Sequence, residues 1–269
     1  MGHPIYHLEI ICERCEVRVA LNDMPIARLR AVTEAEWFAP PVNPYLVGSE
    51  NMVEIEVHPV IGPDGEPIDL AQALVDVAVR RFEKGEPVAP GTGDPVLEVA
   101  VHTELAERIR EAREEEEELE IPQTFFHLFD NEAISAAAEL RDAEPFDDEG
   151  ALRDYAIRLR DIAGARDATA LVAEMEPKIQ ACMAAYDEPR EPFYDSLLGG
   201  MRDELLAQGV RTDFERDDVL LEPCCGGRLW ILRRPDGGPF LQTEPDAEGS
   251  TMQMEIVVAP RDGALKIVR

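Results

Sequence analysis

Apolar residues in this chain follow two rhythms, and the positions where the rhythm changes limit the folds open to it. Tyr6, Leu8, Ile10 and Cys12 alternate with mostly polar neighbours, and Cys15, Val17, Val19 and Leu21 resume the alternation after Glu13-Arg14. A period of two turns one face of each segment inward and argues for half-buried strands. Glu13-Arg14 is therefore expected to be a hairpin turn, with Asn22-Asp23 a second turn before Met24, Ile26 and Leu29. Further strands are predicted over 52–58, 74–82, 96–102 and 124–130, between proline- and glycine-rich pieces at 61–67 and 87–95. Short strands punctuated in this way predict an antiparallel β-sandwich.

One insertion near 103–120 breaks the alternation. Helix formers follow Thr103, a plausible N-cap, and the run Glu114 to Glu118 ends the stretch with five like charges. Glutamates repel one another at i,i+4 and are unfavourable near a helix C-terminus, so a solvent-exposed helix fraying into an acidic loop is expected. The acidic, turn-like segment 143–150 marks a domain boundary near residue 145, giving domains 1–145 and 146–269. Beyond it the period becomes helical. Leu152, Tyr155, Ala156, Leu159, Ile162 and Ala163 form one apolar face, closed by Gly164. Asp167 can cap a second helix that Pro177 must break or restart, and a third carries Leu197, Leu198, Met201, Leu205 and Leu206 up to Gly209. From Asp218 the period returns to two. Strands are predicted over 219–224, 228–234, 240–244, 251–258 and 264–268, with turns at 235–238 and 261–263. The fold class is α+β: a β-sandwich, then three helices and an antiparallel sheet.

Three helices leading into a meander that ends Arg261-Asp-Gly-Ala-Leu-Lys-Ile-Val-Arg269 resemble the NTF2-like (cystatin-like α+β cone) superfamily over about 147–269. Leu265 stands where that pattern often has Trp. The resemblance implies a cone between helices and sheet, used for small-ligand binding, catalysis or dimerisation. In the N-terminal half, Asn43-Pro-Tyr-Leu-Val-Gly-Ser-Glu-Asn-Met-Val-Glu-Ile-Glu-Val57 is similar to a run in jelly-roll and galactose-binding-like modules. No sugar-binding residue carries over from it.

Charge narrows the partners. There are 26 Lys+Arg against 56 Asp+Glu, a net charge of -30, and residues 1–146 hold -20 of it. Nucleic acid is not an expected ligand, because phosphate-backbone affinity comes from Lys and Arg displacing counterions. An anionic membrane surface repels the chain likewise, and no apolar run is long enough for a transmembrane helix. The excess acid reads as coding composition, with adaptation to salt, and a solvated surface; the sharper alternative is an acidic surface that attracts a basic partner or mimics nucleic acid. The start lacks the basic and apolar runs of a signal peptide, and five cysteines form no disulfide framework, so a cytoplasmic setting is expected.

Motifs for chemistry are sparse. Cys12-Glu-Arg-Cys15 is half of a zinc knuckle, but the other close pair, Cys224-Cys225, is adjacent and lies in the other domain, so core cysteines are expected. The five histidines, all before residue 128, make no spaced ligand pair, and no phosphate-cradling loop is present. No metal, cofactor or catalytic residue is assigned. The pocket candidates of a cone are Tyr155, Tyr186, Tyr194, Trp230, Met252, Met254 and Glu255, with core packing as the plainer account of the apolar ones. The sequence reading is a non-enzymatic, acidic two-domain scaffold that binds another protein, basic in character, or a second copy of itself. The alternative is a small apolar ligand, or catalysis, in the C-terminal cone. A third class, a carbohydrate-binding module, would use Trp37, Phe38 and Tyr45.

Overall fold

The computed structural model describes residues 3–132, 134–141 and 143–269. The chain divides into two compact units, Met1–Ala138 and Glu139–Arg269, upstream of the acidic 143–150 segment where the sequence placed the boundary. Helices and antiparallel sheets make it an α+β protein. Among the described residues, no helix is long and apolar enough to cross a membrane.

The N-terminal unit holds β1 (Ile5–Glu13), β2 (Cys15–Leu21), β3 (Met24–Ala31), β4 (Glu36–Phe38), β5 (Asn51–His58), β6 (Leu74–Phe82), β7 (Asp94–Val99), α1 (Val101–Glu114) and β8 (Gln123–Phe129). They form two four-stranded sheets, β4-β1-β6-β7 and β3-β2-β5-β8. The inward residues of both sheets, among them Leu8, Ile10, Val17, Ile55, Val77 and Phe125, make one buried core. The expected hairpin at Glu13-Arg14 is corrected. β1 pairs with β4 and β6, β2 with β3 and β5, so Arg14, at φ 58°, carries the chain from one sheet to the other. Alternation looks the same whether two strands pair or face each other across a core, so the pattern alone could not decide. Asn22 and Asp23, both with positive φ, do make the β2–β3 hairpin.

The predicted 96–102 strand also needs correction. β7 stops at Val99 and the helix begins at Val101, with Ala100 at the N-cap and Thr103 inside the first turn. Nor is α1 a purely solvated helix: Val101, Leu105 and Ile109 point into the core, a stripe at i, i+4 and i+8. It ends at Glu114, where the glutamate run starts to oppose the helix dipole.

A short turn α2 (Ala138–Arg141) precedes the helical part of the C-terminal unit. There, α3 (Glu149–Gly164) is capped by Asp148, and α4 (Ala168–Glu174) by Asp167, whose carboxylate accepts the Ala170 N–H at 2.9 Å. Pro177 restarts the helix as α5 (Glu176–Tyr186), its missing N–H harmless in the first turn. α6 (Arg190–Gly200) runs through a π-turn, Met201–Leu205, into α7 (Leu206–Gln208), which Gly209 ends at φ 89°. The sheet that follows is β9 (Leu220–Cys224), β10 (Leu229–Arg233), β13 (Ile256–Arg261) and β14 (Ala264–Ile267), in the order β14-β13-β10-β9. The single strand expected over 251–258 is broken: β12 (Gln253–Met254) pairs with β11 (Leu241–Gln242) in a separate ribbon, and β13 starts after Glu255. Alternation continues across the break, which hid it from the sequence.

Candidate functional site

The sequence-predicted residues of the C-terminal unit are built into its core more than around a cavity. Tyr155 and Trp230 are buried in one apolar cluster, with Tyr194, Met252 and Met254 packed against it. The Tyr155 hydroxyl donates to Glu174 Oε2 at 3.1 Å, and the same oxygen accepts from Arg158 at 2.6 Å and Lys266 at 3.2 Å. Burial, with the neighbouring carboxylate, pushes the Tyr155 phenol far above its usual range. The Trp230 indole N–H donates to the Phe146 carbonyl at 2.7 Å. Tyr194 is half-buried under the Arg190 guanidinium, and Tyr186 half-buried at the end of α5. Glu255 is exposed and accepts from Arg233, away from the aromatic residues. The structure thus gathers five of the seven, leaving Tyr186 and Glu255 outside that cluster.

In the N-terminal unit, the solvent-facing sides of the two sheets contrast. On β4-β1-β6-β7, Glu9 stands opposite Ala78, and Ala78 opposite Glu98. The small alanine lets Arg80 lie across the row, with Nε on Glu9 Oε2 at 2.5 Å and Nη2 on Glu98 Oε1 at 2.7 Å. The other Glu9 oxygen accepts from the Trp37 indole at 3.1 Å and the Gly91 N–H at 2.8 Å. Burial works to raise the Glu9 carboxyl, but these three donors outweigh it and hold it below the usual range. Beside this row lies a groove of about 370 Å³ with Ile11 and Ala78 in its lining, and with Asp76, paired to His102 at 3.1 Å. Trp37, exposed on the edge strand β4, is fixed in orientation by Glu9; Tyr45 packs against the core.

The β3-β2-β5-β8 sheet presents something else. Glu16 is clamped by Arg18 and Arg28 at 3.1 and 2.9 Å, and Glu56 by His58 at 3.1 Å. Glu54 lies between β2 and β8, opposite Ala20 and Phe126, and among the described residues no cation lies within ion-pair distance of it. Burial, then Glu56 and Asp23, raise its carboxyl above the ordinary value. On β8 next to it, Phe126 is 58% and Leu128 63% exposed, while Phe125 and Phe129 are buried. The strand Gln-Thr-Phe-Phe-His-Leu-Phe is apolar on both faces though only one meets the core. The sequence signal for this strip is a strand with apolar residues at successive positions, Phe125-Phe126 and Leu128-Phe129, where alternation would place polar ones.

Cys12 and Cys15 are fully buried free thiols at the corner between the sheets. Their mutual hydrogen bond lowers Cys12, and with burial it pushes Cys15 up. Among the described residues no group of His, Cys, Asp and Glu is placed to hold a metal ion. Compared with family models, curated proteins and solved structures, the chain matches none of them.

Proposed function

We propose that this protein is a non-enzymatic binding protein whose N-terminal unit, a β-sandwich, takes a basic protein partner on the outer face of β3-β2-β5-β8. The observation that carries the reading is the exposed Phe126–Leu128 pair beside Glu54, a carboxylate with no cation within ion-pair distance among the described residues. Exposed apolar side chains next to unneutralised acid suit a partner with apolar contacts and lysine or arginine. The net charge of -18 over residues 1–138 would steer such a partner toward the unit. We read the C-terminal unit as an NTF2-like scaffold. Helices preceding an antiparallel sheet support this, as does Lys266 of the terminal strand reaching back to Glu174. The polar atoms of Tyr155 and Trp230 are engaged inside that unit, which favours placing recognition on the N-terminal face.

A lysine–valine repeat peptide tests the reading by isothermal titration at low and high salt. Binding that weakens steeply with salt, is lost for a glutamate–valine repeat, and falls in Glu54→Gln/Glu56→Gln is the expected result. Equal binding of both peptides, or no dependence on salt, would contradict it.

A further inference from the structure

The edge of this sheet carries a deeper inference, which rests on the reading that its outer face takes a basic partner. A sheet edge exposes main-chain donors and acceptors that pair with any strand laid beside them, unless it is short, charged or interrupted by proline. Three of the four edge strands in the N-terminal unit are guarded. β3 carries Pro25, Arg28 and Arg30; β4 has three residues; β7 carries Asp94, Pro95 and Glu98. β8 has seven residues, no proline and no Asp, Glu, Lys or Arg.

Register fixes which of its main-chain groups face outward. The Asn22 N–H donates to the Met52 carbonyl at 2.8 Å, so Met52 and the alternate residues of β5 bond toward β2. Asn51, Val53, Ile55 and Val57 therefore bond toward β8, where they stand opposite Phe129, His127, Phe125 and Gln123. Thr124, Phe126 and Leu128 are left with N–H and C=O turned away from the sheet. Arg108 of α1 reports this polarity directly, its Nη1 donating to the Thr124 carbonyl at 2.9 Å. Among the described residues, the outward groups of Phe126 and Leu128 have no such cover, and these two residues also carry the exposed side chains.

We propose that β8 accepts an extended segment of a basic partner as a fifth strand, paired to Phe126 and Leu128 and carrying lysine or arginine at alternate positions. The aliphatic stems of those side chains cover Phe126 and Leu128, and their charged heads cross the Phe126 ring toward Glu54. Charge selects this occupant over a second copy, whose N-terminal unit would bring its own Glu54 and a net charge of -18 to the same edge.

The test compares the lysine–valine repeat peptide with the same peptide N-methylated along one strand edge, which removes main-chain donors and keeps the charge. Fluorescence anisotropy is expected to show the methylated peptide binding about tenfold more weakly, the scale of one or two lost hydrogen bonds. Hydrogen exchange is expected to slow at the Phe126 and Leu128 amides only with the unmethylated peptide. Leu128→Lys, a change at an exposed position that leaves the core intact, is expected to weaken binding as much. Equal affinity for both peptides overturns strand addition. If Glu54→Gln/Glu56→Gln still weakens that binding, the basic-partner reading survives without it. If neither peptide binds, both readings fall. Concentration-dependent dimerisation that Leu128→Lys abolishes would assign the edge to a second copy and overturn the proposal too.

Discussion

Glu9 and Glu54 are both glutamates on the solvent side of a four-stranded sheet in the same unit, and their surroundings have opposite consequences. Glu9 is buried, and accepts hydrogen bonds from Arg80, Trp37 and Gly91. Glu54 is half-buried, flanked by Glu56, Asp23 and exposed Phe126. The first carboxylate is used internally, fastening β4 and the residue 91 loop to β1. The second has no cation within ion-pair distance among the described residues, and on our proposal it meets one from a partner. Acidity is thus a weak guide to function by itself; what matters is which carboxylates the fold has already neutralised.

The comparison breaks most readily at Arg80. Arg80→Ala leaves a buried carboxylate without its cation, and urea unfolding is expected to show a loss of about 3 kcal/mol. The loss should be largest at neutral pH. Glu9 has a depressed folded pKa, so its stabilising contribution is present above the unfolded carboxylate pKa and is lost as pH falls through the folded value. An unchanged midpoint would mean that Trp37 and Gly91 hold Glu9 without Arg80.

The two sides of β8 give the next contrast. Phe125→Ala empties a core position and is expected to cost about 3 kcal/mol, whereas Phe126→Ala, one residue on, should change stability by less than about 0.5 kcal/mol. Comparable losses would show that Phe126 is covered within the folded chain, and would remove the exposed strip from the account.

The smallest effect is expected at Glu54. Its folded pKa is raised, so ionising it works against folding as pH climbs from the unfolded to the folded value. Glu54→Gln should therefore stabilise the protein near neutral pH, by about 0.5 kcal/mol, with no gain in acid, where the glutamate is already protonated. Destabilisation at neutral pH would reveal a partner for Glu54 inside the fold.

How much of this was legible follows from what periodicity can carry. The alternation in β1, β2, β5 and β6 and the cap at Asp167 are local facts, so those strands and the start of α4 are placed within a residue or two. Pairing is not local. Cys12 and Cys15 bury themselves equally well in a hairpin or across a corner between sheets, and only the register shows that β1 and β2 do not pair. Glu9, Arg80 and Glu98 lie far apart in the chain and meet because Ala78 is small enough for a guanidinium to pass over it. No spacing rule announces that. In the C-terminal unit neither helical spacing nor alternation can distinguish a pocket wall from a filled core, and Tyr155 and Trp230 lie in the latter.

Amide chemical-shift mapping during titration with the lysine–valine repeat peptide tests the central claim most directly, because both sheet faces are observed in one experiment. Shifts are expected to centre on Glu54, Glu56, Phe126 and Leu128, with Glu9, Arg80 and Glu98 unmoved. Shifts centred on the Glu9–Arg80–Glu98 row, or spread evenly over both faces, would contradict it.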